Sequence, residues 1–241
     1  MTDLSASSIG EIVTGDFRTA AIFEKYSLDF CCRGGKTIEQ ACSEKSLDPD
    51  RVLADLQSLA TRQTRPGPDP GAMPADQLVG YIVETHHAYV RSALPAILAH
   101  TQKVASVHGE HHPEVIEIAR RFATVAEELQ KHMQKEERIL FPYVKQLSLA
   151  AETGARIPRP PFQSALNPIR MMEAEHQFAG DEMYGIRSLS SGYVPPGDAC
   201  TTYRVSYQEL EQFELDLHRH VHLENNILFP RAIALEESIL I

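Results

Sequence analysis

Apolar side chains recur at about 3.6-residue intervals, the signature of one buried helical face, through four long segments at about 74 to 106, 113 to 149, 165 to 190 and 200 to 237. The breaks between them, HGEHHP, AAETGARIPRPPFQS and SSGYVPPGD, hold the glycines and prolines that interrupt helices. No stretch alternates apolar and polar residues as a half-buried strand does, and no strict repeat links the segments. The pattern predicts an all-α fold whose larger unit is a four-helix bundle.

Residues 8 to 59 read differently, as short helix-forming pieces between turn signals: TGDFRTAAIFEKYS, TIEQACSEKS and DPDRVLADLQSLA. In the last, Asp48 before Pro49 supplies a cap and a first-turn proline. Four prolines in TRQTRPGPDPGAMP mark 61–74 as a linker. The predicted organisation is a small helical unit over 1–60, the linker, and the bundle over 75–241. The small unit alone is too short to bury much core.

Polar residues interrupt the inward faces of the bundle in an ordered way. In LQKHMQKEERILFP, His132 and Glu136 are four apart and so stack on one face, a face that also carries Val125, Leu129, Ile139 and Tyr143. HVHLENNILFP repeats the arrangement with His220 and Glu224 beside Phe213, Leu217, Ile227 and Leu228, and the text ILFP follows in both segments. The third segment places His176 between Met172 and Gly180, and the first places His86 and His87 beside Val83, Val90, Leu94 and Ile97.

A single His-x-x-x-Glu pair is usually a solvated helix pair. Two copies on apolar faces are different, because burying unpaired carboxylates costs several kcal/mol. Four imidazoles and two carboxylates converging in a bundle core suit two shared metal ions, with bridging carboxylates and a solvent-derived oxo or hydroxo group. Mixed nitrogen and oxygen donors suit iron, manganese or zinc, and a bridging carboxylate pair in a bundle points first to di-iron. His218 and His222 lie about 160° around an ideal helix from His220, which assigns them to the solvent side or to a supporting role. Glu137 reads as a surface charge, and His108, His111 and His112 as water-facing residues at a helix break.

Charge narrows the partners. With 33 acidic and 23 basic residues, a formal net charge of −10 disfavours an electrostatic grip on nucleic acid or anionic membrane. MTDLSASSIGEIV is not a basic-then-apolar leader, and no apolar run approaches the roughly 20 residues of a membrane span. The expected location is the cytoplasm. Four cysteines, Cys31, Cys32, Cys42 and Cys200, are too few and too scattered for a disulfide framework. Cys42 and Cys200 need only core packing. Cys31 and Cys32, ahead of Arg33, Gly34 and Gly35, suit either packing or thiolate chemistry.

The stretch IGEIVTGDFRTAAIFEKYSLDFCCRGGKTIEQAC resembles the ScdA-type N-terminal domain, and the remainder resembles the hemerythrin-like domain of the Repair of Iron Centers family of bacterial di-iron proteins. The resemblance spans nearly the whole chain. It implies a hemerythrin-like four-helix bundle holding two non-haem irons, oxo- or hydroxo-bridged, on His87, His132, Glu136, His176, His220 and Glu224. A histidine eight residues before a proline, Pro95, favours His87 over His86 by that likeness. It places His108 where related proteins carry a histidine, as a residue lining the approach to the metals.

The function implied is repair of iron-sulfur clusters damaged by nitric oxide or oxidative stress, by supplying iron or handling nitric oxide, with Cys31 and Cys32 as a relay. The partners implied are damaged iron-sulfur proteins and nitric oxide or oxygen as small ligands, with the chain a monomer or homodimer. Oxygen-carrying relatives are similar but use five histidines. The set here has four, which leaves more open coordination positions and suits labile iron. A nitric oxide or oxygen sensor or carrier is the alternative, as is an enzyme that reduces nitric oxide; the sequence does not decide whether the chain is an enzyme.

Overall fold

The computed structural model of the protein describes residues 6–31, 34–61 and 70–239. Most of the 61–74 linker, as well as Cys32 and Arg33, lies outside the described residues. Four short helices come first: α1 (Ile9–Gly15), α2 (Ala20–Lys25), α3 (Ile38–Glu44) and α4 (Pro49–Thr61). Four long ones follow. α5 runs from Ala75–Ile82 through Val83–His87 into Ala88–His108, α6 from Glu114–Lys135 through Glu136–Leu140 into Phe141–Thr153, α7 covers Leu166–Leu189, and α8 runs from Thr201–Leu223 through Glu224–Leu228 into Phe229–Ile239. Among the described residues the only β feature is an isolated bridge between Ser8 and Thr37.

α1 is an element the apolar pattern did not announce. Its start is nevertheless written in the chain: Ser8 accepts from the Glu11 amide, and Glu11 returns a bond to the Ser8 amide at 2.8 Å, a reciprocal cap that satisfies two otherwise orphaned donors. Thr37 and Gln40 do the same for α3. Asp48 accepts from the Asp50 amide at the start of α4.

The long helices pack in cyclic order, α5 on α6, α6 on α7, and α8 closing on α5. Their apolar faces form two clusters. One joins Ile97, Val104, Phe122 and Phe213 of the bundle to Ile9, Phe23 and Phe30 of the short helices. The other gathers Leu78, Ile82, Leu140, Leu147, Ile169 and Phe229.

The short helices are seated on the bundle by α7 and α8. Arg219 pairs with Glu24 at 3.0 Å, Arg187 reaches the Ser27 hydroxyl at 3.3 Å, and the Asn226 amide donates to the Cys31 carbonyl at 3.3 Å. Gly34 lets the N-terminal unit close on itself: a side chain there would strike the Phe30 carbonyl oxygen and meet Gly10 at 3.1 Å.

Three helices contain one wide, π-type turn each, at Val83–His87, Glu136–Leu140 and Glu224–Leu228. In the last two, the amide of Phe141 or Phe229 bonds the carbonyl five residues back, and a proline follows at once. Pro142 and Pro230 carry no N–H, and their rings would crowd the carbonyl four residues earlier. A wider turn relieves that crowding and shifts every later side chain around the axis. Ile139, expected on the inward face, is therefore 49 % exposed while Leu140 is buried.

Candidate metal centre

All six expected ligand residues meet between the two apolar clusters. His87, Glu136 and Glu224 have no exposed surface, and His132, His176 and His220 have 1 % each. They form two overlapping sets, His87, Glu136, His220 and Glu224, and His132, Glu136, His176 and Glu224, in each of which one donor atom per residue lies within 4.8 Å of the others. Both carboxylates belong to both sets.

The imidazoles are paired across the bundle through their Nε2 atoms, His87 to His220 at 3.1 Å and His132 to His176 at 2.9 Å. Two nitrogens about 2.1 Å from one ion and at right angles around it stand about 3.0 Å apart. The carboxylates sit at similar range: Glu136 Oε2 is 3.4 Å from His87 Nε2 and 3.3 Å from His132 Nε2, and Glu224 is 3.1 Å from His220 and 3.2 Å from His176. Neither oxygen of Glu136 has an aligned hydrogen-bond donor. A buried carboxylate so placed is costly unless a cation compensates it.

The far side of three rings is held. His87 Nδ1 bonds Glu137 at 2.6 Å, His132 Nδ1 bonds Glu175 at 2.8 Å, and His176 Nδ1 bonds the Asn225 side-chain oxygen at 2.8 Å. Such bonds fix the ring orientation and turn Nε2 toward the centre. Arg91 and Lys135 in turn pair with Glu137 and Glu175. His220 Nδ1 has no such partner.

Electrostatics show what the carboxylates demand. Burial pushes His87 down, but the nearby charged oxygens of Glu136 and Glu224 outweigh that and hold it up at about 10. His132 is likewise pushed down by burial and held at about 10 by the charge of Glu136 close by and by its bond to Glu175. His220 is lowered by burial. Burial and mutual repulsion raise Glu136, yet the imidazoles around it bring it below the usual carboxylate range, and Glu224 lies well below it.

His86, the neighbour of His87, lies outside both sets: it bonds Asp216 at 2.9 Å and stacks on His220 with ring centroids 5.5 Å apart. Other expectations need correction. Glu137 is a ring-holding acceptor, only 29 % exposed at its side chain. His222 is fully buried, against Phe17 and Phe30 of the short helices, and burial lowers it to about 4. His108 ends α5, 21 residues after His87 and hence roughly 30 Å along the helix, so it does not line an approach to this centre. Cys200 is exposed, and only Cys42 is packed as expected.

Glu175 and Asn225 were not singled out by the sequence. A signal was present, since Glu137, Glu175 and Asn225 each stand next in the chain to one of the six residues and serve a ring on a different helix.

Cys31 is 6 % exposed; Asp29 accepts from its amide at 3.0 Å and lies 3.2 Å from its sulfur. It lines a cavity of about 330 Å³ between the short helices and the bundle, together with Asp29, Lys36, Asp181, Arg187 and His218. Its carbonyl is bound by Asn226, two residues from Glu224. Among the described residues no helix is long and apolar enough to cross a membrane.

Residues 5–60 match the family pattern ScdA_N, a domain of unknown function (DUF542), and residues 79–232 match the hemerythrin HHE cation binding domain. Nearly the whole chain is similar to proteins named iron-sulfur cluster repair protein YtfE. That of Enterobacter sp. (strain 638) is 36% identical over 226 residues, 94% of this chain and 96% of its own. The Escherichia coli O81 (strain ED1a) protein is 36% identical over 227 residues, with the same coverage. The Yersinia pestis (strain Pestoides F) protein is 34% identical over 231 residues, 96% of this chain and 98% of its own.

Proposed function

This chain belongs to the family of iron-sulfur cluster repair proteins in which a ScdA_N domain precedes a hemerythrin domain, and on that premise we propose that it repairs iron-sulfur clusters damaged by nitric oxide or oxidants, from a two-iron centre in its bundle. His87 and His220 would hold one iron and His132 and His176 the other, with Glu136 and Glu224 common to both. The observation that carries this reading is the sharing of two fully buried carboxylates by two imidazole pairs. Bound there, iron supplies both a cargo for damaged clusters and a place for nitric oxide to bind.

The chain's own residues set how firmly that cargo is held. Glu137, Glu175 and Asn225 keep three imidazoles turned inward, which favours loading. All six donors are nitrogen or oxygen, and such donors hold ferrous iron less firmly than thiolates hold softer metals, which favours release to a thiolate-lined client. The apolar clusters on both sides keep bulk water away from the carboxylates. Cys31 and Cys32 act as the relay to the client. The cavity beside Cys31 and its tie to Asn226 support that role.

The test is restoration of a nitric-oxide-damaged iron-sulfur enzyme by the iron-loaded protein. The proposal expects recovery of client activity together with loss of iron from this protein, and little recovery with His132→Ala. Steady consumption of nitric oxide with a supplied reductant, without client recovery, would overturn repair in favour of nitric oxide reduction.

A further inference from the structure

The end of the bundle remote from the histidine and glutamate layer gathers a second group of metal-binding side chains. His108 closes α5, His112 lies in the turn before α6, and Asp198 and Cys200 precede α8. His108 Nε2 is 3.2 Å from Cys200 Sγ, and His112 Nε2 is 3.1 Å from an Asp198 oxygen. Both imidazoles lie against the buried Tyr203 ring, at centroid distances of 5.2 and 5.9 Å. We propose that His108, His112, Asp198 and Cys200 form a second metal site, for a divalent cation of the zinc class, which clips the α5–α6 turn to the start of α8.

The donor set fits that class. Two imidazoles, one thiolate and one carboxylate are the ligand types of four-coordinate zinc, and donor atoms around one such ion stand about 3.3–3.6 Å apart. The two observed pairs are already near that spacing. The His108 and His112 ring centroids stand 6.4 Å apart, so gathering the four donors on one ion needs the His112 ring and the Asp198 side chain, 66 % exposed, to rotate together. The thiolate and carboxylate together carry two negative charges, which match a divalent ion. Sulfur also separates this site from the one described above, whose donors are nitrogen and oxygen only.

The backbone is prepared to hold the ligands. The amides of His111 and His112 both bond the His108 carbonyl, at 3.0 and 2.8 Å. A side chain at Gly109 would strike the Ala105 carbonyl at 2.5 Å, so the turn between the two histidines is tight. On the facing segment the Ala199 amide bonds the Pro196 carbonyl at 3.1 Å, and Arg204 reaches the Gly197 carbonyl. Two tight turns 86 residues apart in the chain therefore present two donors each.

Cobalt(II) titration of the full-length protein tests the site, because a thiolate-to-cobalt charge-transfer band reports sulfur coordination directly. The expected result is such a band in the unaltered protein and in the Cys31→Ala/Cys32→Ala double variant. Cys200→Ser should lose the band and bind one cobalt fewer, and Asp198→Ala should bind at least tenfold more weakly. Added zinc should raise Tm in the unaltered protein more than in Cys200→Ser. Absence of the band in the unaltered protein, or its survival in Cys200→Ser, overturns the proposal. Should Cys200→Ser lose helical circular dichroism, His112→Ala takes its place, and unchanged cobalt affinity there has the same contrary meaning.

Discussion

Replacing Glu175 by alanine should weaken one metal position and spare the other. Glu175 accepts from His132 Nδ1 at 2.8 Å, and the His132 side chain is 2 % exposed. Without that acceptor the ring N–H is a buried, unsatisfied donor, a loss of about 1–3 kcal/mol. Partners of this kind typically set metal affinity by about 10–100-fold, or about 1.4–2.8 kcal/mol at 1.4 kcal/mol per tenfold. Lys135, which also pairs with Glu175, is 33 % exposed at its side chain and turns to water.

The assay is iron release to a competing chelator, followed as two steps. Glu175→Ala should advance one step by 10–100-fold and leave the step of the His87–His220 pair in place, because that pair is supported separately by Glu137. Glu175→Gln, which keeps an uncharged acceptor, should fall between. Equal weakening of both steps, or of neither, would refute the assignment of His132 and Glu175 to one half of the centre.

Glu136→Gln should lower occupancy at both positions together, since Glu136 is common to both donor sets; iron analysis showing loss of one iron alone would contradict the sharing. Cys31→Ala/Cys32→Ala should retain full iron but restore less client activity, and unchanged restoration would remove the relay. Arg219→Ala breaks the pair with Glu24, whose side chain is 7 % exposed, and leaves a nearly buried carboxylate unpaired. Chemical denaturation should show a loss of about 1–3 kcal/mol, and protease should cut the short helices faster.

The residue pattern carried the bundle, the four imidazoles and the two carboxylates, because ligands spaced by one turn on an apolar face are visible in any helix drawn from the chain. What it hid has three separate physical causes. Ile139 and Glu137 were misplaced because an ideal helix was carried through Glu136–Leu140, where a wide turn shifts the phase. His222 does lie on the far side of α8 from His220, but the short helices cover that side with Phe17 and Phe30. Helical periodicity says nothing about what docks on a face. The choice between His86 and His87 depends on the cross-bundle partner, which is Asp216 for one and His220 for the other. α1 was legible only through its cap, since seven residues are too few for an apolar period to stand out.

The central claim is that two irons share Glu136 and Glu224. Its most direct test is iron stoichiometry of the anaerobically loaded protein, measured with the magnetic coupling of its oxidised form and repeated for His132→Ala. The account predicts about two irons per chain, magnetically coupled, and a single uncoupled iron in His132→Ala. One iron in the unaltered protein, or two that show no coupling, would contradict it.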